Sequence, residues 1–177
     1  MVCKGYSQQE GIDYDKTYAL VARIKVVELF LSYAAHKKFK VYQIDVKSTF
    51  MNVELEEDVY IEQPGGFSLT NDKDMVCRLK KALYGLKQTP RTWYARLDKH
   101  WEKLGFSKGT TKNSLYLKEI GDRLLILVIF VDDIIFGGDD SESDKFTEEM
   151  KKESLFLTLS IGRIYLKGLI WKHANPL

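Results

Sequence analysis

The sequence predicts an α+β fold, in which a β-sheet carries helices on one face in a split β-α-β arrangement. Three observations support this prediction. Residues 24–38 place apolar side chains at helical spacing, and residues 40–46 alternate between two faces as a strand does. Residues 115–120 and 123–131 are strand-like runs that flank Gly121-Asp122, a pair typical of a hairpin turn.

The first predicted helix leads directly into a strand with an unusual polar face. The helix over 24–38 ends in two lysines, which suit the negative end of the helix dipole. In the strand over 40–46, Asp45 shares one face with Val41 and Gln43, while the opposite face is apolar. An aspartate in this setting is a candidate functional residue.

The remaining elements follow from turn residues and spacing. Residues 51–75 combine an acidic run with a Pro-Gly-Gly turn and predict a connector, within which residues 59–62 form a short strand. Pro90 suits the first turn of a helix that Gly105 ends. After the hairpin we expect a strand over 134–137 and a helix over 142–153 that starts from Ser141. A weakly patterned strand is expected over 155–171.

Length and composition favour a globular domain with a core. The chain has 177 residues, of which 45 % are apolar, and this excludes a disordered chain. The longest apolar run, 124–131, has eight residues, whereas a membrane helix needs roughly 20. No signal peptide is predicted, and Cys3 and Cys77 lack metal-ligand spacing, so we expect free thiols in a reducing compartment.

The net charge of +2 is unevenly distributed along the chain. Segment 78–103 holds eight Lys/Arg and two acids, whereas segment 54–62 holds five acids and no base. Segment 139–153 holds seven acids and three lysines. A basic segment near clustered aspartates indicates a polyanion handled beside a metal, and the alternative is ordinary solvated helix faces.

Asp132 and Asp133 interrupt the most apolar segment of the chain. Burial of a carboxylate costs several kcal/mol unless a partner or a metal compensates it. One interpretation is a plain Asp-Asp hairpin turn. The other is that the strands over 40–46 and 124–131 are neighbouring central strands whose ends bring Asp45 beside the pair, so that three carboxylates meet and Mg²⁺ balances their charge. Two such ions serve phosphoryl transfer.

Several long blocks resemble, in the right order, the reverse transcriptase of copia-type long-terminal-repeat retrotransposons. They are KGYSQQEGIDYDKTYALVAR (4–23), VYQIDVKSTFMN (41–52), VYIEQPGGF (59–67), RLKKALYGLKQTPRTWY (78–94) and FVDDIIFG (130–137). The resemblance covers almost the whole chain. It implies an RNA- and DNA-templated DNA polymerase with a right-hand fold of fingers, palm and thumb.

The resemblance implies roles for individual residues. Asp45, Asp132 and Asp133 match the catalytic, metal-binding aspartates of the palm, and Val46 would offer its carbonyl to the metal. The residues that would contact the nucleotide are Lys47, Ser48, Thr49, Phe50 and Gln88. The residues that would contact primer or template are Phe130, Lys87 and Arg91.

Two of these positions have specific expectations and each has a structural alternative. Phe50 matches the bulky residue that excludes a ribose 2′-hydroxyl, and its alternative is a core aromatic. Phe130 stands where the family usually has tyrosine, so one hydroxyl hydrogen bond is lost there. Gln88 has the alternative of a turn residue, and Lys87 and Arg91 that of solvent-facing charges.

The resemblance also implies a division of the chain. Residues 1–40 and 51–90 match partly fingers, 41–50 and 91–155 match mainly palm, and 156–177 match poorly, within one reverse transcriptase fragment over 1–177. We expect a ferredoxin-like palm without a thumb. Leu20 replaces proline and Val53 replaces glycine of the family pattern, so the chain is expected to be a truncated, drifted copy. We also expect backbone strain at Val53, where the family has a residue that adopts conformations open to glycine.

Two functions from different classes remain open at this point. The first is a two-metal nucleotidyltransferase that uses Mg²⁺, or Mn²⁺ in its place, with deoxynucleoside triphosphates and a primer on an RNA or DNA template. The second is an inactive remnant palm that binds nucleic acid weakly. A nucleotide cyclase is disfavoured because FVDD is not its hairpin signature. We expect RNase H and integrase domains as polyprotein partners, no membrane, and a cytoplasmic location within a virus-like particle, with the nucleus as the alternative.

Overall fold

The structure is a computed structural model that forms two compact units. The first comprises Met1–Tyr18 and Phe50–Arg96, and the second comprises Ala19–Thr49 and Leu97–Leu177. The structure describes residues 2–15, 17, 22–46, 50, 53–64, 66, 75–109, 114–130, 133–152 and 159–164. The predicted site residues Lys47, Ser48, Thr49 and Asp132 therefore lie outside the described residues.

The helices and strands of the described residues have the following bounds. The helices are α1 (Ile24–Lys37), α2 (Thr89–Lys103) and α3 (Asp140–Lys152), and a 3₁₀ turn covers Gly5–Ser7. The strands are β1 (Lys40–Val46), β2 (Glu54–Glu62), β3 (Val76–Lys81), β4 (Ser107–Lys108), β5 (Leu115–Ile120), β6 (Arg123–Phe130), β7 (Asp133–Gly138) and β8 (Leu159–Ile164). No helix in the described ranges is long and apolar enough to cross a membrane.

A six-stranded antiparallel sheet with the order β4-β5-β6-β7-β1-β8 dominates the second unit. Strand β7 pairs with β1 on one side and with β6 on the other. Because both pairings are antiparallel, β1 and β6 run in the same direction with β7 between them, as a split β-α-β unit requires. The predicted α+β class is thus confirmed, whereas the assignment of palm and fingers stays a prediction.

Helices cover both faces of this sheet, so the prediction of helices on one face was wrong. Phe30 and Ala34 of α1 pack in one cluster with Val41 and Ile126. Phe146 of α3 lies 4.9 Å from Phe136, measured between ring centroids, and Phe136 belongs to the opposite face because Gly137, its neighbour, pairs with Val41 and Ile126. Burial on both faces explains why β6 reads as a continuous apolar run.

An aromatic cluster fixes the end of α2 within the second unit. Gly105 has φ +83°, and the N–H groups of Gly105 and Phe106 donate to the carbonyls of Glu102 and Trp101. This is the Schellman arrangement, which the predicted glycine stop requires. The Phe106 ring then lies 5.9 Å from the ring of Trp101, as expected for the apolar contact that accompanies the motif.

The first unit contains a hairpin that the sequence only partly revealed. Strands β2 and β3 pair with each other as a two-stranded sheet. The predicted strand over 59–62 is therefore the end of a longer strand, and the region between 51 and 75 is not simply a connector. Exposed and less exposed positions alternate along both strands, but charged side chains interrupt the apolar pattern, so the sequence revealed only residues 59–62.

The start of α3 also differs from the expectation. The helix begins at Asp140, and the Asp139 carbonyl accepts the N–H groups of Glu142 and Ser143. The Oδ2 atom of Asp139 accepts the N–H of Leu124 at 2.9 Å. Asp139 therefore precedes the helix, and Ser141 lies inside its first turn, where its hydroxyl accepts a hydrogen bond from Arg123.

Candidate active site

Asp45 and Asp133 face each other on adjacent strands. They are directly opposed in the antiparallel pairing of β1 with β7, so their side chains project from the same face of the sheet. Asp45 is exposed and Asp133 is half-buried. The structure therefore brings together two of the three predicted catalytic carboxylates, although strand β1 borders β7 rather than β6.

The two carboxylates lack a cationic partner among the described residues. Asp45 makes no side-chain hydrogen bond or ion pair there. Oδ1 of Asp133 accepts a hydrogen bond of 2.9 Å from Nε2 of Gln43. Like charges directly opposed across two strands repel each other, so the position between these two carboxylates is suited to a cation.

The β6–β7 hairpin places Phe130 beside the aspartates. Phe130 pairs directly with Asp133, which leaves residues 131 and 132 between the two paired positions. Phe130 is 38 % exposed and shares the face of Asp133 and Asp45. Asp132 lies outside the described residues, so its catalytic role stays a prediction.

Val46 ends β1, and its side chain lies on the sheet face opposite to that of Asp45. It is 2 % exposed and pairs with Leu159 of β8. Its predicted role uses the backbone carbonyl, so burial of the side chain does not affect that prediction. Among the described residues, no group of three His, Cys, Asp or Glu side chains is close enough to hold a metal; the predicted third member, Asp132, is not among those residues.

In the first unit, Gln88 directly precedes α2 and is buried at 1 % exposure. Its carbonyl accepts the N–H of Thr92. Its Oε1 accepts a hydrogen bond from Nε2 of Gln8, and Oε1 of Gln8 accepts the N–H of Lys87 at 2.9 Å. Nε2 of Gln88 has no hydrogen-bond partner among the described residues, so a buried donor remains unused there.

The N-terminal segment lies tightly against the loop that carries Gln88. The N–H of Cys3 donates to the carbonyl of Tyr84 at 2.7 Å. A Cβ at Gly85 would lie 1.9 Å from the carbonyl oxygen of Cys3, so only glycine permits this approach. Segment 2–8 therefore fixes the position of the loop before α2.

Two predicted contact residues carry uncompensated charge. Lys87 is exposed and Arg91 is half-buried in the first turn of α2. Neither forms an ion pair with a described residue. Free cationic side chains are what a phosphate backbone requires, yet the same observation fits solvent-facing charges, so their role stays a prediction.

Phe50 and Val53 are both buried in the first unit. The Phe50 ring lies 4.7 Å from the ring of Tyr84 and is 8 % exposed, which leaves both its selectivity role and its core role open. Val53 accepts the N–H of Ala82 through its carbonyl. Val53 does not have a positive φ, since Lys38 is the one non-glycine residue with positive φ in the described ranges. The expectation of backbone strain at Val53 was therefore wrong.

Sequence reasoning missed two residues of these sites, Gln43 and Gln8. The period-2 pattern placed Gln43 on the face of Asp45, and this signal was available. The contact with Asp133 spans 90 positions, however, and a lone amide has no motif that reveals such a partner. Gln8 lay within a matching block, but nothing in the pattern linked it to Gln88.

The comparisons with known proteins identify the family. A family model described as reverse transcriptase (RNA-dependent DNA polymerase) matches residues 1–175. The chain therefore belongs to the reverse transcriptase family, and the resemblance to copia-type elements is confirmed. No solved structure shows a significant match to the chain.

Two of its curated relatives are transposon polyproteins of plants. The chain is 39 % identical over 141 residues to the Retrovirus-related Pol polyprotein from transposon TNT 1-94 of Nicotiana tabacum, covering 79 % of the chain and 11 % of that polyprotein. It is 36 % identical over 147 residues to the polyprotein from transposon RE2 of Arabidopsis thaliana, covering 83 % of the chain and 10 % of that protein. The chain thus spans about a tenth of the length of these relatives.

Proposed function

We propose that the chain is the catalytic part of an RNA-directed DNA polymerase that extends a primer by metal-dependent nucleotidyl transfer. The observation that carries the proposal is the direct pairing of Asp45 with Asp133 without a cationic partner in the described ranges. Membership of the reverse transcriptase family supports it. Asp45, Asp133 and Asp132 are proposed as the catalytic carboxylates.

The donor set fits Mg²⁺, with Mn²⁺ as the alternative ion. Carboxylate oxygens are the ligands these cations prefer, and Mg²⁺ needs few protein ligands when phosphates supply the others. When bound, two such ions polarise the attacking hydroxyl and neutralise charge on the leaving pyrophosphate. We propose Asp45, Asp132, Asp133 and the Val46 carbonyl as the residues that hold them.

The other residues are proposed to position nucleotide and nucleic acid. Lys47, Ser48, Thr49, Phe50 and Gln88 would contact the deoxynucleoside triphosphate, and Lys87, Arg91 and Phe130 the primer or template. Phosphate contacts by the two cations would contribute affinity that falls with salt. RNase H and integrase domains of a parent polyprotein are proposed partners, and a cytoplasmic virus-like particle the proposed location.

Primer extension tests this proposal. Purified chain is mixed with a labelled primer on an RNA or DNA template, the four deoxynucleotides and Mg²⁺. We expect short, non-processive extension that Asp45→Asn and Asp132→Asn reduce by several orders of magnitude, because each change removes charge that stabilises the transition state. Asp15→Asn, at an exposed aspartate of the first unit, is the matched control.

The assay also separates the two functions that the sequence left open. Extension that is equal in wild type and Asp45→Asn would refute the proposed site. Salt-sensitive binding of primer–template without any extension would instead favour the inactive remnant palm. The binding is measured by fluorescence anisotropy in the same buffer, so both results come from one preparation.

A further inference from the structure

Gln43 lies beside the two carboxylates on the same sheet face. It is two positions before Asp45 on β1, and Asp133 lies diagonally across on β7. Nε2 of Gln43 donates to Oδ1 of Asp133 at 2.9 Å. In the part of the chain that the structure describes, neither side chain makes another hydrogen bond.

The chemistry of this donor is suited to a cation site. A lysine or arginine in its place would orient Asp133 but would also neutralise the charge that a metal requires. A neutral amide orients the carboxylate, because a hydrogen bond to an ionised acceptor is strong, and leaves its charge intact. It also leaves Oδ2 of Asp133 without a partner among the described residues.

We propose that Gln43 is a positioning residue that holds the Asp133 carboxylate in the orientation that binds a divalent cation together with Asp45. This inference rests on the proposed function and adds a residue to it. Asp45, which has no such partner in the described ranges, adjusts to the ion, whereas Asp133 is fixed before the ion arrives. Outer-shell groups that orient metal ligands commonly change affinity by 10–100-fold.

Binding of Mn²⁺ to the full chain, measured from the free-ion signal in electron paramagnetic resonance, tests this role without any need for activity. Gln43→Met keeps the length and flexibility of the side chain but removes the donor. We expect it to weaken Mn²⁺ binding about tenfold. The matched control is Gln63→Met, because Gln63 is also half-buried and its Nε2 donates at 2.9 Å to an uncharged acceptor, the Met75 carbonyl. The control should bind Mn²⁺ like wild type.

A second measurement on the wild type does not depend on the folding of any variant. Bound Mn²⁺ broadens nearby proton resonances steeply with proximity. We expect the side-chain amide of Gln43 to broaden at sub-stoichiometric Mn²⁺. A sharp Gln43 resonance in chain that binds Mn²⁺ would overturn the inference.

The outcomes distinguish this inference from the function on which it rests. If Asp133→Asn abolishes Mn²⁺ binding but Gln43→Met matches wild type, the metal site stands and the role of Gln43 is refuted. If wild type binds no Mn²⁺, or Asp133→Asn binds it equally well, the proposed metal site fails and the role of Gln43 fails with it. A tenfold loss in Gln43→Met alone, with Gln63→Met unchanged, supports both.

Discussion

Replacement of Asp45 by asparagine should stabilise the metal-free chain while it removes function. Asp45 faces Asp133 directly, and no cation compensates them among the described residues. Like charges directly opposed across strands destabilise a sheet by roughly 0.2–1 kcal/mol. Since Asp45 is exposed, water screens the repulsion, and we expect a gain of about 0.5 kcal/mol in the free energy of unfolding.

Thermal unfolding in EDTA and in Mg²⁺ measures this effect. A gain of this size corresponds to a rise of about 1–2 °C in the melting temperature of a chain of this length. Saturating Mg²⁺ should raise the melting temperature of wild type, since an ion that binds the folded state stabilises it. Asp45→Asn should respond much less, and Asp15→Asn should behave as wild type.

Two results would refute this reasoning. The first is a lower melting temperature for Asp45→Asn in EDTA, which would mean that the carboxylate stabilises the fold through a partner. The second is an equal Mg²⁺ response in wild type and Asp45→Asn, which would place the cation elsewhere. Either result would remove the observation on which the proposed function depends.

Three further predictions concern selectivity, packing and pH. Phe50→Val should raise incorporation of ribonucleotides relative to deoxynucleotides in a steady-state competition assay; unchanged selectivity would leave Phe50 as a core residue beside Tyr84. Gly85→Ala should lower the free energy of unfolding, measured in urea, by about 2 kcal/mol or more, since the added Cβ meets the Cys3 carbonyl and φ is +96°. Gly11→Ala, at φ +83° with open space around the added Cβ, should lower it by about 1 kcal/mol. Equal losses in the two variants would contradict the packing argument. Hydrogen bonding to Lys145 lowers the pKa of Glu142, so the stabilisation by this carboxylate is present above the unfolded pKa of about 4.3 and is lost as pH falls through the folded pKa. Glu142→Gln should therefore be less stable than wild type at pH 7 but not at pH 3, and Glu149→Gln, the control, should match wild type at both. A difference between Glu142→Gln and wild type that persists at pH 3 would contradict this assignment.

Local pattern predicted the elements that bury one face or both. The helix predicted over 24–38 is α1 at Ile24–Lys37, and the strand predicted over 40–46 is β1. These segments place apolar side chains at the period of their own geometry. The strand β3 was not predicted. Its residues alternate between exposed and half-buried, but its charged side chains conceal this period in the sequence.

The order of the strands in the sheet could not be predicted from the sequence, for a different reason. The sequence predicted that β1 and β6 approach each other, and the structure inserts β7 between them. Pairing depends on contacts between segments about 90 positions apart, and composition carries no record of such partners. The approach of Asp45 to Asp133 was nevertheless one of the two interpretations that the sequence offered, and the structure shows it, with Asp45 near the end of β1 and Asp133 at the start of β7.

The orientation of Gln88 follows from a backbone group that cannot change its role. The N–H of Lys87 is a donor, so the Gln8 atom that contacts it is Oε1. Nε2 of Gln8 then faces Gln88 and requires an acceptor there, which is Oε1 of Gln88. The unused atom of Gln88 is consequently its donor, Nε2. A nucleotide presents mainly acceptor oxygens, so this orientation is the one that suits the contact we propose for Gln88, and the loop backbone enforces it through Gln8.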